Sequence, residues 1–171
     1  NHIVKRLLNL DELESGNMTL SWEEFDVTEL LRGVMQASAV LAGNHTCEVT
    51  LDSPEELMVW ADEFMLEEVI QNYLSNAYHY VSDPGHIWIR AFRRDDGEVE
   101  ISVRNTGNQI PEADLDQVWD KFYKVDKART RSYGGSGIGL SVAKAVADSH
   151  RAKILAESED GKSLNIKVVF N

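Results

Sequence analysis

One stretch of the chain carries side chains in a pattern that solvation alone does not require. From Asp62 to about Tyr80 the apolar residues Leu66, Val69, Ile70, Tyr73, Leu74 and Ala77 recur at helical spacing. On another side of the same helix run Glu68, Asn72 and Asn76, with His79 one turn further. Steps of four residues advance only about 40° around the axis, so these polar groups form a row. Asparagine inside a helix costs roughly 0.5–0.7 kcal/mol against alanine, so two in one row need a reason. A solvated face is one reading. The other is a row of amide oxygens and a carboxylate facing a hard cation such as Mg²⁺, which takes oxygen ligands and leaves positions to phosphate and water.

Three further segments suit an anion. Arg104-Asn105-Thr106-Gly107-Asn108-Gln109-Ile110-Pro111 follows a strand pattern and is turn-rich, which by itself is compatible with a plain turn. Gly134-Gly135-Ser136-Gly137-Ile138-Gly139-Leu140 runs into a helix. Its glycines allow backbone N–H groups to approach an anion beside a helix N-terminus, or they form a hinge. No strand immediately precedes it, so it lacks the setting of a dinucleotide fingerprint. Between these two segments Lys121, Lys124, Lys127, Arg129 and Arg131 are opposed only by Asp126. The island is either a solvated basic loop or the local positive field that a triphosphate needs.

The elements that must position these residues follow from periodicity. Asn1–Glu14 reads as a helix stopped by Gly16-Asn17, as though cut from a longer one. Met18–Phe25 is extended, and Asp26 caps a helix from Val27 to about Gly43. Cys47–Leu51 and Leu57–Trp60 read as strands on either side of Pro54. His86–Arg93 and Glu98–Arg104 form a hairpin across Asp95-Asp96-Gly97. A short helix is expected over 112–123, a mobile stretch over 125–135 and a helix over 138–149. Lys153–Glu157 and Ser163–Phe170 close the chain as a second hairpin. Hairpins without regular βαβ alternation imply an α+β two-layer sandwich, with a mixed sheet of about five strands covered on one face by three helices.

Composition narrows the function. The 171 residues suit one compact domain, and 43% hydrophobic with 27% charged residues is a globular balance. Seventeen basic against 29 acidic residues give a net charge of −12, which disfavours a general nucleic-acid or anionic-membrane binder. The one cysteine, Cys47, excludes an internal disulfide and a multi-cysteine metal site. The longest uncharged run, Gly33–Cys47, is too short and polar to span a bilayer, and no signal peptide opens the chain. The expected setting is cytoplasmic.

Taken in order, Glu68-x-x-x-Asn72-x-x-x-Asn76-Ala77, Asn105-Thr106-Gly107-x-x-Ile110-Pro111, Phe122-Tyr123-Lys124-x-Asp126-x-x-Arg129 and Gly135-Ser136-Gly137-Ile138-Gly139-Leu140 resemble the N, G1, F and G2 boxes of sensor histidine kinases, in the GHKL ATPase superfamily. The resemblance covers about Glu24–Phe170. It implies that residues 21–171 form the ATP-binding catalytic domain and residues 1–20 the end of the second dimerisation helix with its linker. It implies Mg²⁺ on Asn72 and phosphate or shared metal on Asn76. His79 stands where a basic residue often reaches phosphate, and Tyr80 where an aromatic lines the nucleotide. Phe122 would pack at the base of a lid over 125–134, with Lys124 and Arg129 near phosphate and Gly135, Ser136, Gly137, Ile138, Gly139 and Leu140 as the phosphate cradle. Asn105, Gly107 and Ile110 would form the base pocket.

Asn72 and Glu68 are the catalytic candidates. Lys124 replaces the family's usual arginine and keeps its charge without the planar fork. Asn105 replaces the family's aspartate, and Gln109 its second glycine. An amide oxygen still accepts from the adenine amino group, and its NH₂ is expected to donate to a ring nitrogen. Without charge assistance the contact should be weaker, and the amide is free to flip, so Asn105→Asp is expected to tighten ATP binding. The family's His-Gly-Gly after the last long helix is His150-Arg151-Ala152. No histidine in the chain fits the phosphoacceptor motif. The implied partners are therefore ATP, a dimerisation and phosphoacceptor domain of the same protein, and indirectly a response regulator. The resemblance implies a homodimeric parent and allows it a membrane anchor. Two rival readings stand beside kinase: a nucleotide-sensing pseudokinase that signals by docking, and a GHKL ATPase of the gyrase or chaperone type in which Glu68 activates water.

Overall fold

The structure is a computed structural model that describes residues 19–43, 46–107, 110–120, 139–158 and 160–171. Its elements in chain order are β1 (Trp22–Asp26), α1 (Val27–Ser38), β2 (Cys47–Asp52), β3 (Met58–Asp62), α2 (Glu63–Tyr80), β4 (Gly85–Arg93), β5 (Val99–Thr106), α3 (Gly139–Ser149), β6 (Lys153–Glu157) and β7 (Ser163–Phe170). A 3₁₀ turn at Ala39–Ala42 continues α1, and another covers Glu112–Gln117.

Five strands form the main sheet in the order β2-β4-β5-β7-β6. β2 and β4 are parallel, and every other pair is antiparallel. The mixed sheet expected from the sequence is therefore present. Alternation decides its faces. Ile89, Val103 and Ile166 stand in register across three strands, as do Ala91, Ile101 and Val168, and all six are buried. The helices cover this face. α2 lays Leu66, Val69, Ile70, Tyr73, Leu74 and Ala77 into the same core. Burying each of the larger side chains contributes about 1.5–3 kcal/mol. On the opposite face the ring of Trp88 stacks on His86 at 4.2 Å, and the Arg104 guanidinium lies 5.1 Å from the Trp88 centroid.

Two short strands do something their alternation does not specify. β1 and β3 leave the main sheet and pair with each other, antiparallel. The register places Phe25 opposite Val59, both buried, while Trp22 and Trp60 face outward. Asp26 fastens this ribbon to α1, because its Oδ1 accepts from the N–H of Thr28 (3.0 Å) and of Leu57 (2.9 Å). The short helix expected over 112–123 is a 3₁₀ turn over Glu112–Gln117. Pro111 starts it, and its carbonyl accepts from Asp114 three residues on, which is the tighter hydrogen-bond pattern.

α2 begins with Asp62 as its cap. One carboxylate oxygen accepts from Met65 N–H at 3.1 Å, and the other from Ser21 N–H at 2.8 Å. The N–H of Asp62 itself donates to Nε2 of His150, at 3.1 Å, just beyond α3. Nδ1 of that ring lies 2.9 Å from the Val146 carbonyl, to which it donates. This knot joins the start of the domain, the start of α2 and the end of α3.

Candidate functional site

The polar row on α2 is not a solvated face. Glu68, Asn72, Asn76 and His79 are all partly buried, whereas Ser75 beside them is exposed. Among the described residues, Nδ2 of Asn76 is buried with no hydrogen-bond partner. A buried amide donor left unmatched costs about 1–3 kcal/mol. His79 meets Tyr80 edge to face at 4.7 Å. Tyr80 is buried, and burial pushes its phenol above its ordinary range.

The C-terminal end of α2 is bolted to the loop after β5. Ser82 N–H donates to the Thr106 carbonyl at 2.9 Å, and its hydroxyl donates to Thr106 Oγ1 at 2.8 Å. Gly107 has φ +83°, and a Cβ there would lie 2.8 Å from both the Tyr80 carbonyl and Ser82 N. Only glycine suits both that backbone and that closeness. On its other side Gly107 N–H donates to the Lys162 carbonyl, at 2.8 Å, in the turn before β7. Asp160 orders that turn by accepting from Lys162 N–H (2.8 Å), Ser163 N–H (2.9 Å) and the Ser163 hydroxyl (2.9 Å). The Lys162 N–H bond, then the Ser163 hydroxyl, hold its carboxyl below the usual range, helped by Arg104 at 3.3 Å.

Asn105 sits at the end of β5 on the helix-covered face, 1% exposed, between Ile87 and Leu164 in register. Its Nδ2 donates to the carbonyls of Thr106 (2.9 Å) and Gly107 (2.8 Å). The sequence-based expectation that this NH₂ reaches a ring nitrogen is therefore corrected. Both of its hydrogens face the loop's own carbonyls. Ile110 is buried in the core, and Gly139 and Leu140 open α3 with Leu140 packed on that core.

The structure joins the end of α2 at Tyr80 to the loop of Asn105 and Gly107 through the Ser82–Thr106 bolt. Phe122, Lys124, Arg129, Gly135, Ser136, Gly137 and Ile138, and the lid expected over 125–134, lie outside the described residues. Sequence reasoning missed Ser82 and Asp160, and it read Thr106 only as part of the loop motif. It also missed Trp119, a buried ring 6.2 Å from Tyr73. The signal that could have found Asp160 is the Asp160-Gly161 pair between the last two strands, a turn pattern.

A mixed sheet under helices, with a central helix that ends against a glycine loop, defines an α+β two-layer module. The chain belongs to the family of histidine kinase-, DNA gyrase B- and HSP90-like ATPases, which matches residues 61–171. It is 32% identical over 168 residues to the sensor histidine kinase WalK of Bacillus subtilis, a match that covers 96% of this chain and 27% of WalK. It is 33% identical over 159 residues to the sensor-like histidine kinase SenX3 of Mycobacterium tuberculosis, covering 93% of this chain and 38% of SenX3. Among solved structures, the nucleotide-free catalytic domain of histidine kinase ThkA superposes with a TM-score of 0.76 at 25% identity, over 88% of this chain and 97% of that domain. Full-length ShkA in complex with AMPPNP gives a TM-score of 0.82 at 22% identity, over 94% of this chain and 33% of ShkA, a likeness of fold. The chain has the architecture of the ATP-binding catalytic domain of sensor histidine kinases, and it spans 27% of WalK and 38% of SenX3.

Proposed function

We propose that this domain binds ATP with Mg²⁺ and presents the γ-phosphoryl group to a histidine on a dimerisation domain carried elsewhere in the same protein. The observation that carries this reading is the buried Nδ2 of Asn76, which has no partner among the described residues, in a half-buried amide row on α2. Such a donor suits a phosphate oxygen. In this reading Asn72 offers its amide oxygen to the metal and Asn76 donates to phosphate or shares the metal. Mg²⁺, when bound, neutralises charge between phosphate groups. Glu68 lies one turn before Asn72, placed to act on that shell. Among the described residues no group of three or more His, Cys, Asp or Glu side chains gathers around a metal position. In this reading amide and phosphate oxygens hold the cation. Catalysis is then mostly positioning and charge stabilisation.

In the same reading residues 1–20 connect the domain to its dimerisation helix, and a response regulator receives the phosphoryl group afterwards. Among the described residues no helix is long and apolar enough to cross a membrane. A cytoplasmic position for this domain is part of the proposal.

Calorimetry with and without Mg²⁺ tests the site. Asn72→Ala should weaken the Mg–ATP complex more than metal-free ATP. Equal losses in both would remove Asn72 as a ligand. Transfer of label from γ-labelled ATP to an added dimerisation domain tests the activity. ATP binding with no transfer to any supplied acceptor would favour the docking-only module.

A further inference from the structure

We propose that Trp22 latches a joint through which the chain entering β1 controls the start of α2 and the end of α3 together. With Trp22 seated on His150 both helix ends are held, and with that strand end undocked both loosen at once. Hydrogen bonds gather at Asp62. Its Oδ2 accepts from Ser21 N–H at 2.8 Å and its Oδ1 from Met65 N–H at 3.1 Å, while its own N–H donates to His150 Nε2 at 3.1 Å. One residue thus caps α2, holds the incoming chain and leans on the residue that follows α3. The imidazole is engaged at both nitrogens, since Nδ1 donates to the Val146 carbonyl at 2.9 Å. Behind it the turn is closed, with Arg151 at φ +56° and Ala152 N–H donating to the Ala147 carbonyl at 2.8 Å.

Trp22 seats this ring. Their centroids lie 5.1 Å apart at 58°, and Trp22 stands opposite Asp62 in the β1–β3 register. The imidazole also borders a small apolar void lined by Ala61, Leu66, Val69, Val146, Val168 and Phe170, so close packing does not fix it on that side. Trp22 itself is 42% exposed, so its seat is shallow and can be left without opening the core. A tilted aromatic pair favours the seated state by about fivefold, a margin that a pull from the preceding chain can overturn. The amide row of α2 continues from the Asp62 cap, so it rides on the helix that the joint holds. Control of nucleotide binding by the joint rests on the nucleotide-binding reading above, whereas the joint itself does not.

Hydrogen exchange of the ligand-free chain tests the joint in the parent, Trp22→Ala, Trp22→Phe and Trp60→Ala. Trp60, 58% exposed on the same ribbon, is the control. Trp22→Ala should speed exchange at the amides of Asp62, Met65 and Ala152 together by about fivefold, while Ile101 and Val103 in β5 change less. Trp22→Phe keeps a ring on His150 and should restore most of the protection, and Trp60→Ala should leave these amides unchanged. If Trp22→Ala does not fold, Trp22→Leu gives the same comparison with most of the bulk kept. Faster exchange confined to β1, or rising equally in β5, would overturn the joint, as would Trp60→Ala matching Trp22→Ala. Titration with Mg–ATP then tests control of the site: Trp22→Ala should bind about twofold to fivefold more weakly, no more than the joint itself loosens. Loosened amides with unchanged ATP affinity would overturn that control and leave the nucleotide-binding reading standing. Failure of the parent to bind ATP would overturn that reading, while the exchange pattern still decides the joint.

Discussion

A side chain's worth here depends on what its neighbours leave undone. Asn76 is a poor helix former and hides a donor with no partner among the described residues, so the folded domain bears its cost. Asn76→Ala should therefore leave the ligand-free domain as stable as before or firmer by about 0.5–1 kcal/mol, and weaken ATP by about tenfold. Paired melting and titration check this. A large loss of ligand-free stability would mean that the amide has a structural partner. The type and place of Asn72, Asn76 and Asn105 were legible, because spacing along a helix or after a strand is a local property. The orientation of Asn105 was not. It is set by carbonyls whose direction depends on the φ of Gly107 and on a hydrogen bond to Lys162, more than fifty residues away.

Among the elements, the long helices were the most readable, since apolar residues three and four apart state both the helix and its buried side. The union of β1 with β3 was not readable, because a period of two marks a strand without naming its partner. The end of α3 shows a local rule broken. His150 keeps a structural role by accepting from Asp62 N–H, but Arg151 follows with φ +56°, where glycine is the easy choice. Ala152 N–H still closes the helix end on the Ala147 carbonyl at 2.8 Å. Arg151→Gly should relieve this strain and raise stability by about 0.5–1 kcal/mol, a melting shift of about 2 °C. A lower melting temperature would show that the arginine side chain contributes more than its backbone costs.

Across the whole molecule, pieces distant in sequence act as one: the β6–β7 turn holds Gly107, and the Gly107 loop holds the end of α2. Asp160 begins that series. Hydrogen bonds lower its carboxyl in the folded state, so its stabilising effect is complete above about pH 4 and is lost as pH falls through the lowered value. Asp160→Ala should thus melt lower than the parent between pH 5 and 8, and the two curves should converge in acid. A constant gap at every pH would assign the loss to something other than ionisation. The placement of the aromatic rings has an optical consequence. Trp22 and Trp60 stand in water, Trp88 lies under a guanidinium, and Trp119 is enclosed against Tyr73, whose chain neighbour is Asn72. A water-soluble quencher will silence Trp22 and Trp60 first. The blue-shifted emission that survives comes chiefly from the Trp119 indole packed on Tyr73 in the core.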